Sequence, residues 1–580
     1  MRMPRMRAGA KAWGLRTSST EMSSTEMSST EMSRVRTPGV KLRQWILPAI
    51  GAAAVAFAPA LPAAQAAGAA AGNNGKALAC ASGTTVQTDK GPVCGAIGDG
   101  VKSWLGIPYA APPVGNLRFA PTAPAAPWTN TLEATAAGPT CPQQPGLGQG
   151  STIEDCLRLS VTAPERTDGK PLPVMVELHG GGFRFGAPSD GKHLVKNGGV
   201  LHVGVRYRLN IFGFMVHKAF GEHSGNNAFR DQQAALRWVQ ANIAKFGGDP
   251  SNVTIYGASA GGSSVCANTA SPTAKGLFQK GIPQSGEYNS RRGNDVQWQP
   301  QDCAAKLPTE AEAQAAGARY ATALGCGNVA DAAACLRALP VQRLLDQTGR
   351  GVGADVGTQG PSVDGQVLPL SPGQAFADGK VNDVTLMHGV DRDETQLPSA
   401  NTPAEYQTNI RQQYGDAADE VMKLYPIERF PDPSPFIAYR TVVADSNSVC
   451  PALINDQRMA KHIKVFAYQT DNADAPPMFF LDATKPNGSY HISESIFLSP
   501  FGDTKLTPNQ ASFGKQLTAQ WTGFARTGNP TVPGTPLWTE FTTSDPGVMS
   551  LVPAGDSEMT TEIGRQHHCD FWAKYMAFNK

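Results

Sequence analysis

Residues 246–262 read Phe246-Gly-Gly-Asp-Pro-Ser-Asn-Val-Thr-Ile-Tyr-Gly-Ala-Ser259-Ala-Gly-Gly262. The β-branched run at 253–256 predicts a short strand, and the small residues after the G-x-S-x-G turn predict a tightly packed helix. Gly257 and Gly261 let the backbone turn sharply between the two, so Ser259 is predicted to stand exposed on a strained elbow at the edge of a sheet. A helix N-terminus beneath that hydroxyl favours negative charge, which suits acyl transfer with serine as the nucleophile.

A second glycine motif supports this interpretation, because a single G-x-S-x-G also arises by chance in a long, Gly-rich chain. The apolar run at 174–178 leads into Leu178-His-Gly-Gly-Gly-Phe183. Three glycines at a strand end are consistent with a tight turn, but they can also present bare N–H groups to the oxyanion of a tetrahedral intermediate. Together the two motifs predict an oxyanion hole formed by the amides of Gly181, Gly182 and Ala260.

The mechanism also needs a base for the serine and a carboxylate to orient that base. In α/β-hydrolases the three groups follow the order Ser, acid, His. Five histidines follow the serine, and acidic residues are numerous, so the residue types alone do not select the pair; the histidines are His388, His462, His491, His567 and His568.

The surrounding pattern predicts an α/β-hydrolase fold, with a central, mostly parallel sheet flanked by helices. The β-rich run at 203–207, the helical pattern at 229–246 and the strand before Ser259 alternate as a parallel sheet requires. Ser259 then lies at the carboxyl end of a strand, where such sheets bind ligands. The region 287–379 is predicted to form helical cap insertions, to which residues 400–480 add.

From about residue 88 to the C-terminus the chain resembles the type-B carboxylesterases, the family that contains the cholinesterases. The resemblance rests on several separate segments in the family's order. They are Leu105-Gly-Ile-Pro-Tyr-Ala-Ala-Pro-Pro-Val-Gly-Asn-Leu-Arg-Phe119, Glu154-Asp-Cys-Leu157, Asn226-Asn-Ala-Phe-Arg-Asp-Gln-Gln-Ala-Ala-Leu-Arg-Trp-Val-Gln240 and Gln284-Ser-Gly286.

The resemblance also implies the two missing catalytic residues. Gly389-Val-Asp-Arg-Asp-Glu394 is similar to the family's G-x-x-x-D-E segment and implies that Glu394 is the acid. Tyr490-His491-Ile-Ser-Glu494 is similar to the H-x-x-E segment and implies that His491 is the base. His388 precedes the acid and is interpreted as structural, whereas His567 and His568, which have no zinc-site spacing around them, are expected to be solvated.

Two departures from the cholinesterases argue against a choline ester as the preferred substrate. Those enzymes have Glu immediately before the serine and a tryptophan in the loop closed by their first disulfide, and both attract a quaternary ammonium group. This chain has Ala258 at the first position, and its loop 142–155 contains no aromatic residue.

Ten cysteines indicate an oxidising compartment, since disulfides do not persist in the cytosol. The resemblance implies the pairs Cys141–Cys156, Cys326–Cys335 and Cys450–Cys569. The pairing of the other four stays open: Cys80 with Cys94 would close a short hairpin, which leaves Cys266 with Cys303.

The N-terminus predicts export. Basic residues at 34–43 precede the apolar segment 45–57, and Ala64-Gln-Ala66 is a small-x-small cleavage site, so residues 1–66 are predicted to be a signal peptide with a low-complexity extension. The extension contains Ser-Ser-Thr-Glu-Met three times, which suggests that translation starts at Met32. A membrane anchor is the alternative, but the apolar core is short and interrupted by proline.

The mature chain is predicted to have a flexible leader with the start of a disulfide hairpin at 67–87, and a catalytic domain at 88–580. Loss of the nine basic and three acidic residues before Ala67 changes the formal charge from +2 to −4. A slightly acidic chain lacks the positive charge that nucleic-acid binding requires. No metal or organic cofactor is implied, the partner is a small-molecule ester, no stable membrane anchor is expected, and the sequence specifies no oligomeric state.

These features together predict a secreted serine esterase, periplasmic or extracellular, that hydrolyses carboxylic esters through an acyl-enzyme intermediate. One alternative is a non-catalytic, cholinesterase-like adhesion protein. The others are a lipase, a thioesterase or an amidase that uses the same site.

Overall fold

The computed structural model describes residues 79–145, 148–287, 303–304, 306–349, 360–394, 399–478, 481–500 and 504–575. The expected export segment 1–66 and the leader as far as residue 78 lie outside these ranges. Within them the structure describes one large sheet, one small sheet and helices on both faces of the large sheet.

The strands in chain order are β1 Val86–Gln87, β2 Pro92–Cys94, β3 Ala96–Gly98, β4 Val101–Pro108, β5 Leu132–Glu133, β6 Arg158–Pro164, β7 Leu172–Leu178, β8 Leu201–Val205, β9 Gly248–Ala258, β10 Lys280–Gln284, β11 Thr385–Asp391, β12 Val465–Thr470, β13 Val548–Leu551 and β14 Glu558–Thr560. The helices are α1 Lys192–Gly198, α2 Asn210–Phe214, α3 Asn227–Asn242, α4 Ala260–Ala270, α5 Glu310–Ala323, α6 Ala332–Ala338, α7 Val341–Gly349, α8 Pro372–Asp378, α9 Pro403–Tyr414, α10 Ala418–Leu424, α11 Ser434–Ala444, α12 Cys450–Met459, α13 Ser495–Leu498, α14 Pro508–Thr527, α15 Ile563–Gln566 and α16 Cys569–Trp572.

The large sheet has the strand order β14-β13-β12-β11-β10-β9-β7-β8-β6-β4-β3 among the described residues. From β8 to β13 every neighbouring pair is parallel, whereas the edge pairs are antiparallel. This is the predicted α/β-hydrolase fold. The carboxyl ends of β9, β10 and β11 lie side by side, so residues that follow these strands meet at one edge of the sheet.

Two apolar cores cover the faces of the sheet. Alternate side chains of a strand point to opposite faces, and on β7 Val174 and Val176 pack in one core while Met175 packs in the other. Helix α4 packs against β9 and β10 with the first core, and α14 packs against β7 and β9 with the second. The sheet is therefore buried on both faces, which fixes the positions of its strand ends.

The insertions differ in part from the prediction. In the region 287–379, predicted to form helical insertions, α5 is a helix that begins with a capping box between Thr309 and Glu312. The region 400–480, however, contributes more than cap, because β12 lies inside the large sheet between β11 and β13. Its side chains are all buried, and the sequence reasoning did not separate this strand from the helices around it.

Candidate active site

Ser259 lies on the sharp turn between β9 and α4. Its backbone has φ 61° and ψ −127°, a conformation that is strained for a residue with a side chain. A Cβ on either Gly257 or Gly261 would come within 2.1 Å of the Leu178 carbonyl oxygen, so both positions need glycine. The elbow predicted from the sequence is therefore present, but the expectation that Ser259 is exposed is wrong: only 7% of its surface is exposed, because the glycine loop after β7 packs against it.

Two backbone hydrogen bonds hold the elbow in place. The Ser259 N–H donates to the Gln284 carbonyl at 2.9 Å, and the Ser259 carbonyl accepts from the Ser263 N–H at 2.9 Å. A Cβ on Gly262 would lie 2.5 Å from that same Gln284 oxygen, so the close approach of the elbow to β10 depends on this glycine. The serine is thereby fixed to the strand whose end leads toward the predicted acid.

The glycine loop after β7 lies directly against the serine. A Cβ on Gly180 would stand 3.3 Å from the Ser259 Cβ, and Gly181 and Gly182 have φ values of +111° and +63°. The Gly181 carbonyl accepts hydrogen bonds from the backbone N–H groups of Arg184 and Phe185, three and four residues further on, which curls the loop. Among the described residues no hydrogen bond uses the N–H of Gly181 or that of Ala260, so both remain available to a ligand.

Side chains from neighbouring segments brace this glycine loop. The Tyr207 hydroxyl donates to the His179 carbonyl at 2.5 Å, and the two rings stack with centroids 4.4 Å apart. Gln143 accepts from the Gly186 N–H at 2.8 Å and donates to the Gly186 carbonyl at 3.2 Å. Burial lowers the pKa of His179 to about 4, so this imidazole stays neutral beside the loop.

The predicted acid and base are brought together. Glu394 follows β11, and its Oε1 is in direct hydrogen-bond contact with Nδ1 of His491. Its Oε2 accepts from the Ser285 hydroxyl at 2.9 Å and from the Asp391 N–H at 2.9 Å. Both partners are almost fully buried, with 2% of Glu394 and 1% of His491 exposed, so the carboxylate is held in one orientation toward the ring.

Burial sets the protonation of this pair. It lowers the pKa of His491 to about 3, which keeps the imidazole neutral and able to accept a proton. It raises the pKa of Glu394 to about 8, against the opposing effect of the Asp391 N–H, and the nearby Glu494 carboxyl acts in the same direction as burial. When the pH rises through about 8, Glu394 loses its proton, and the resulting carboxylate makes His491 a stronger base.

Ser259 and the acid–base pair are linked through β10. The Gln284 carbonyl holds the elbow, and the next residue, Ser285, donates to Glu394. Among the hydrogen bonds of the described residues there is none between the Ser259 hydroxyl and the His491 ring. In enzymes without a bound substrate this contact is often long, and it shortens in the Michaelis complex.

Three residues of this network were missed by the sequence reasoning. Ser285 directly bonds the acid, while Asp391 and Glu494 are buried carboxyls beside it, each 1% exposed. Ser285 lies in the segment Gln284-Ser-Gly286, which follows a strand adjacent to the elbow. Its position at the same sheet edge was the signal that could have identified it.

The remaining histidine predictions give a mixed result. His388 is structural as predicted, because it is fully buried and bonded at 2.7 Å to both Glu287 and Asp456. The expectation that His567 is solvated is wrong: it is 6% exposed, and its Nδ1 lies 2.5 Å from an Asp445 carboxylate oxygen. Folding of the C-terminal segment onto the domain buries this ring, which its place near the chain end does not reveal.

Five disulfides join all ten cysteines. The three pairs implied by the resemblance are present, and the open pairs are resolved as Cys80–Cys94 and Cys266–Cys303. Within the described ranges the one cluster of potential metal ligands comprises Cys266, Glu287 and Cys303, but both sulfurs belong to a disulfide, so no thiolate is available. None of the helices within the described residues combines the length and the apolar character that crossing a membrane requires.

The chain is similar to known esterases in sequence and in structure. The model of the carboxylesterase family matches residues 82–572. Para-nitrobenzyl esterase of Bacillus subtilis strain 168 is 33% identical over 476 residues, which covers 77% of this chain and 90% of that protein. Acetylcholinesterase of Bungarus fasciatus is 31% identical over 85% of this chain and 86% of its own length. A solved PNB esterase structure superposes with a TM-score of 0.68 at 31% identity, covering 83% of this chain and 99% of the other.

Proposed function

The chain belongs to the carboxylesterase family and is a carboxylic ester hydrolase, and from that premise we propose that it works as an exported serine esterase with the triad Ser259, Glu394 and His491. The observation that carries the assignment is the buried contact between Glu394 and His491, made at the sheet edge that also bears the serine elbow. In this arrangement Glu394 orients a neutral His491 imidazole, which accepts the proton of the Ser259 hydroxyl.

The proposed reaction has two steps. His491 accepts the proton of Ser259 as the hydroxyl oxygen attacks the ester carbonyl, and Glu394 stabilises the imidazolium that forms. The alcohol leaves with that proton, and an acyl-enzyme remains. Water then attacks the acyl group by the same route and releases the acid. The charge on the carbonyl oxygen is stabilised by the N–H groups of Gly181, Gly182 and Ala260.

The proposed substrates are small carboxylic esters. The Bacillus subtilis relative is named a para-nitrobenzyl esterase, which makes aryl and benzyl esters the first compounds to assay. A choline ester is disfavoured, because Ala258 replaces the acidic residue that would precede the serine, and loop 142–155 offers no aromatic face to a cation.

Export and domain limits belong to the same proposal. Five disulfides are typical of an oxidising compartment, and the signal features before Ala67 supply a route to it. We place the mature start at Ala67 and the catalytic domain at 88–580. N-terminal sequencing of the protein recovered from the periplasm or medium tests this start directly.

The test of the triad compares Ser259→Ala with Ser544→Ala, since Ser544 is an exposed serine outside the site. Ser259→Ala is expected to reduce kcat on p-nitrophenyl acetate by about 10⁴-fold or more while the protein remains folded. A fluorophosphonate probe should label the wild type and Ser544→Ala but not Ser259→Ala. Labelling of Ser259→Ala would contradict the proposal, and a wild type that the probe does not label would favour a non-catalytic adhesion role.

A further inference from the structure

Two buried carboxyl groups lie beside the acid–base pair without a role in the reaction. Asp391 is the last residue of β11, and Glu494 directly precedes α13. Each is 1% exposed, and neither forms an ion pair with a basic side chain within the described ranges. Buried carboxylates without a cation are costly, so their charge needs an explanation.

Asp391 binds the loop that carries the base. Its Oδ1 accepts from the Ser489 hydroxyl at 3.0 Å and from the Ser493 hydroxyl at 2.7 Å, and its Oδ2 accepts from the Ser493 N–H at 3.3 Å. Ser489 and Ser493 flank His491 on either side. One carboxyl group at the end of β11 therefore accepts hydrogen bonds from both sides of the loop.

The loop needs these hydrogen bonds because its backbone is strained. Ile492, the residue after the base, has φ +61°, a conformation that is rare for a β-branched side chain. Residues in such conformations persist only where surrounding contacts over-determine them. The contacts of Asp391 meet that need, because they hold Ser489 and Ser493, which lie on the two sides of the strained residue.

Glu494 completes the loop and faces Asp391. Its Oε1 accepts from the Gln284 amide at 2.8 Å, so it ties the loop to the strand that holds Ser259. Its Oε2 is buried and has no donor that meets hydrogen-bond geometry. The two carboxyls are neighbours, because Asp391 Oδ2 accepts from the N–H of Ser493, the residue directly before Glu494, and burial and the negative charge of Glu494 together raise the pKa of Asp391. Two ionised carboxylates in this contact would repel each other, and a single proton between them would turn the contact into a hydrogen bond.

We propose that Asp391 and Glu494 share one proton, and that the hydrogen bond so formed holds the loop 489–494 and its imidazole in the position for proton transfer. The inference rests on the proposed function, since it assigns both carboxyls as positioning residues for the base His491. It goes further by making the position of the base depend on a proton that is not part of the reaction.

The groups around the pair support retention of that proton. The acidic neighbours are Glu394, which follows β11, and Glu287, which follows β10. Tyr468 from β12 and Tyr490 from the loop are uncharged phenols whose pKa values burial raises further. Burial, the first cause in each case, raises the pKa of both Asp391 and Glu494, and the negative charge of neighbouring carboxylates acts in the same direction on Asp391. His491, on the same loop, is neutral because burial lowers its pKa to about 3.

The test uses Glu494→Gln beside Glu494→Ala. The amide of the first variant keeps the bond from Gln284 and places a permanent N–H where Oε2 now lacks a donor, with the same net charge as a singly protonated pair. We expect Glu494→Gln to keep kcat on p-nitrophenyl acetate within about threefold of the wild type at neutral pH, and Glu494→Ala to lose about 10²-fold because the base is misplaced.

The dependence of activity on pH shows whether the base is positioned by the shared proton or only by the packing of the Glu494 side chain. In the wild type, activity should fall at alkaline pH when the shared proton is lost, and Glu494→Gln should keep its activity there, because an amide does not ionise. Infrared spectra at neutral pH, recorded in the Glu394→Gln background so that this carboxyl contributes no band, should show a protonated carboxyl band that disappears when Glu494→Gln is added. This readout does not depend on turnover, so it tests the shared proton even if Glu494→Ala fails to fold or the triad assignment fails.

Three results would overturn the inference. They are the absence of that infrared band, a loss in Glu494→Gln as large as that in Glu494→Ala, and an alkaline limb at the same pH in Glu494→Gln and the wild type. Labelling of Ser259 by the fluorophosphonate probe, measured in parallel, shows whether such a failure concerns the shared proton or the proposed esterase site itself.

Discussion

Replacing Glu394 by Gln tests the central contact of the site with almost no change in volume. In the wild type Oε2 of Glu394 accepts from the Asp391 N–H at 2.9 Å, and Oε1 contacts Nδ1 of His491. The oxygen of the new amide stays with the buried N–H, so its NH₂ group turns toward Nδ1. The ring then keeps its proton on Nε2, the nitrogen that must accept the proton of Ser259.

The cost can be worked out from these contacts. Flipping the amide restores the productive tautomer but leaves the Asp391 N–H unpaired, which costs about 1–3 kcal/mol. Loss of the carboxylate charge opposite the imidazolium removes a further contribution of about 1.5–3 kcal/mol, as for a hydrogen bond to a charged group. A total near 4 kcal/mol corresponds to a decrease of about 10³-fold in kcat/KM for Glu394→Gln.

The assay is p-nitrophenyl acetate hydrolysis followed across pH. Because burial raises the pKa of Glu394 to about 8, wild-type kcat/KM should rise with pH through that value as the carboxyl loses its proton, and this limb should be missing in Glu394→Gln. Glu540→Gln, at a carboxyl 41% exposed on the surface, is the matched control and should follow the wild type. If Glu394→Gln retains more than about a tenth of kcat/KM near pH 9, the reasoning about the tautomer is refuted.

Three further predictions follow from the described contacts. Gly261→Ala places a Cβ 2.1 Å from the Leu178 carbonyl and should lower kcat by about 10²-fold, whereas Gly514→Ala, whose Cβ meets its nearest neighbour at 3.5 Å, should leave steady-state kinetics unchanged. Removing the Cys450–Cys569 disulfide, which spans 119 residues, by a double Ser substitution should lower the free energy of unfolding by about 5 kcal/mol in urea titrations. The buried carboxyls with raised pKa bind protons more tightly in the native state than in the unfolded chain, so calorimetric Tm should be higher at pH 5 than at pH 8; an equal or lower value at pH 5 would contradict this account.

The sequence predicted the fold where local chemistry dictates it. The elbow could be predicted because the sharp turn at Ser259 leaves room only for glycine at 257 and 261. The α/β alternation could be predicted from the strand and helix patterns on either side of that turn. Glu394 and His491 were found only through a resemblance, because nothing in their local pattern distinguishes them from other acids and histidines. Their contact joins β11 to a loop almost 100 residues later, and such a contact depends on the assembled sheet.

Other features depend on tertiary packing and were out of reach. Asp391 and Glu494 look like ordinary surface acids until the sheet and loop close over them. The burial of His567 depends on the C-terminal helices folding back beside Asp445. The Cys266–Cys303 pair could be reached only by elimination, since it joins α4 to a segment after β10 whose path the sequence does not specify.

The order in which the site is assembled along the chain has a consequence for biosynthesis. The proposed nucleophile Ser259 lies in the first half of the chain, the loop of the proposed base follows β12, and the sheet is completed by β13 and β14, with α14 covering the strand of the elbow. The Cys450–Cys569 bond closes only when the last residues have emerged. A nascent polypeptide therefore lacks the assembled site, and on the proposed export route ester cleavage would begin only after the last residues of the chain have been released, away from the esters of the cell that makes it.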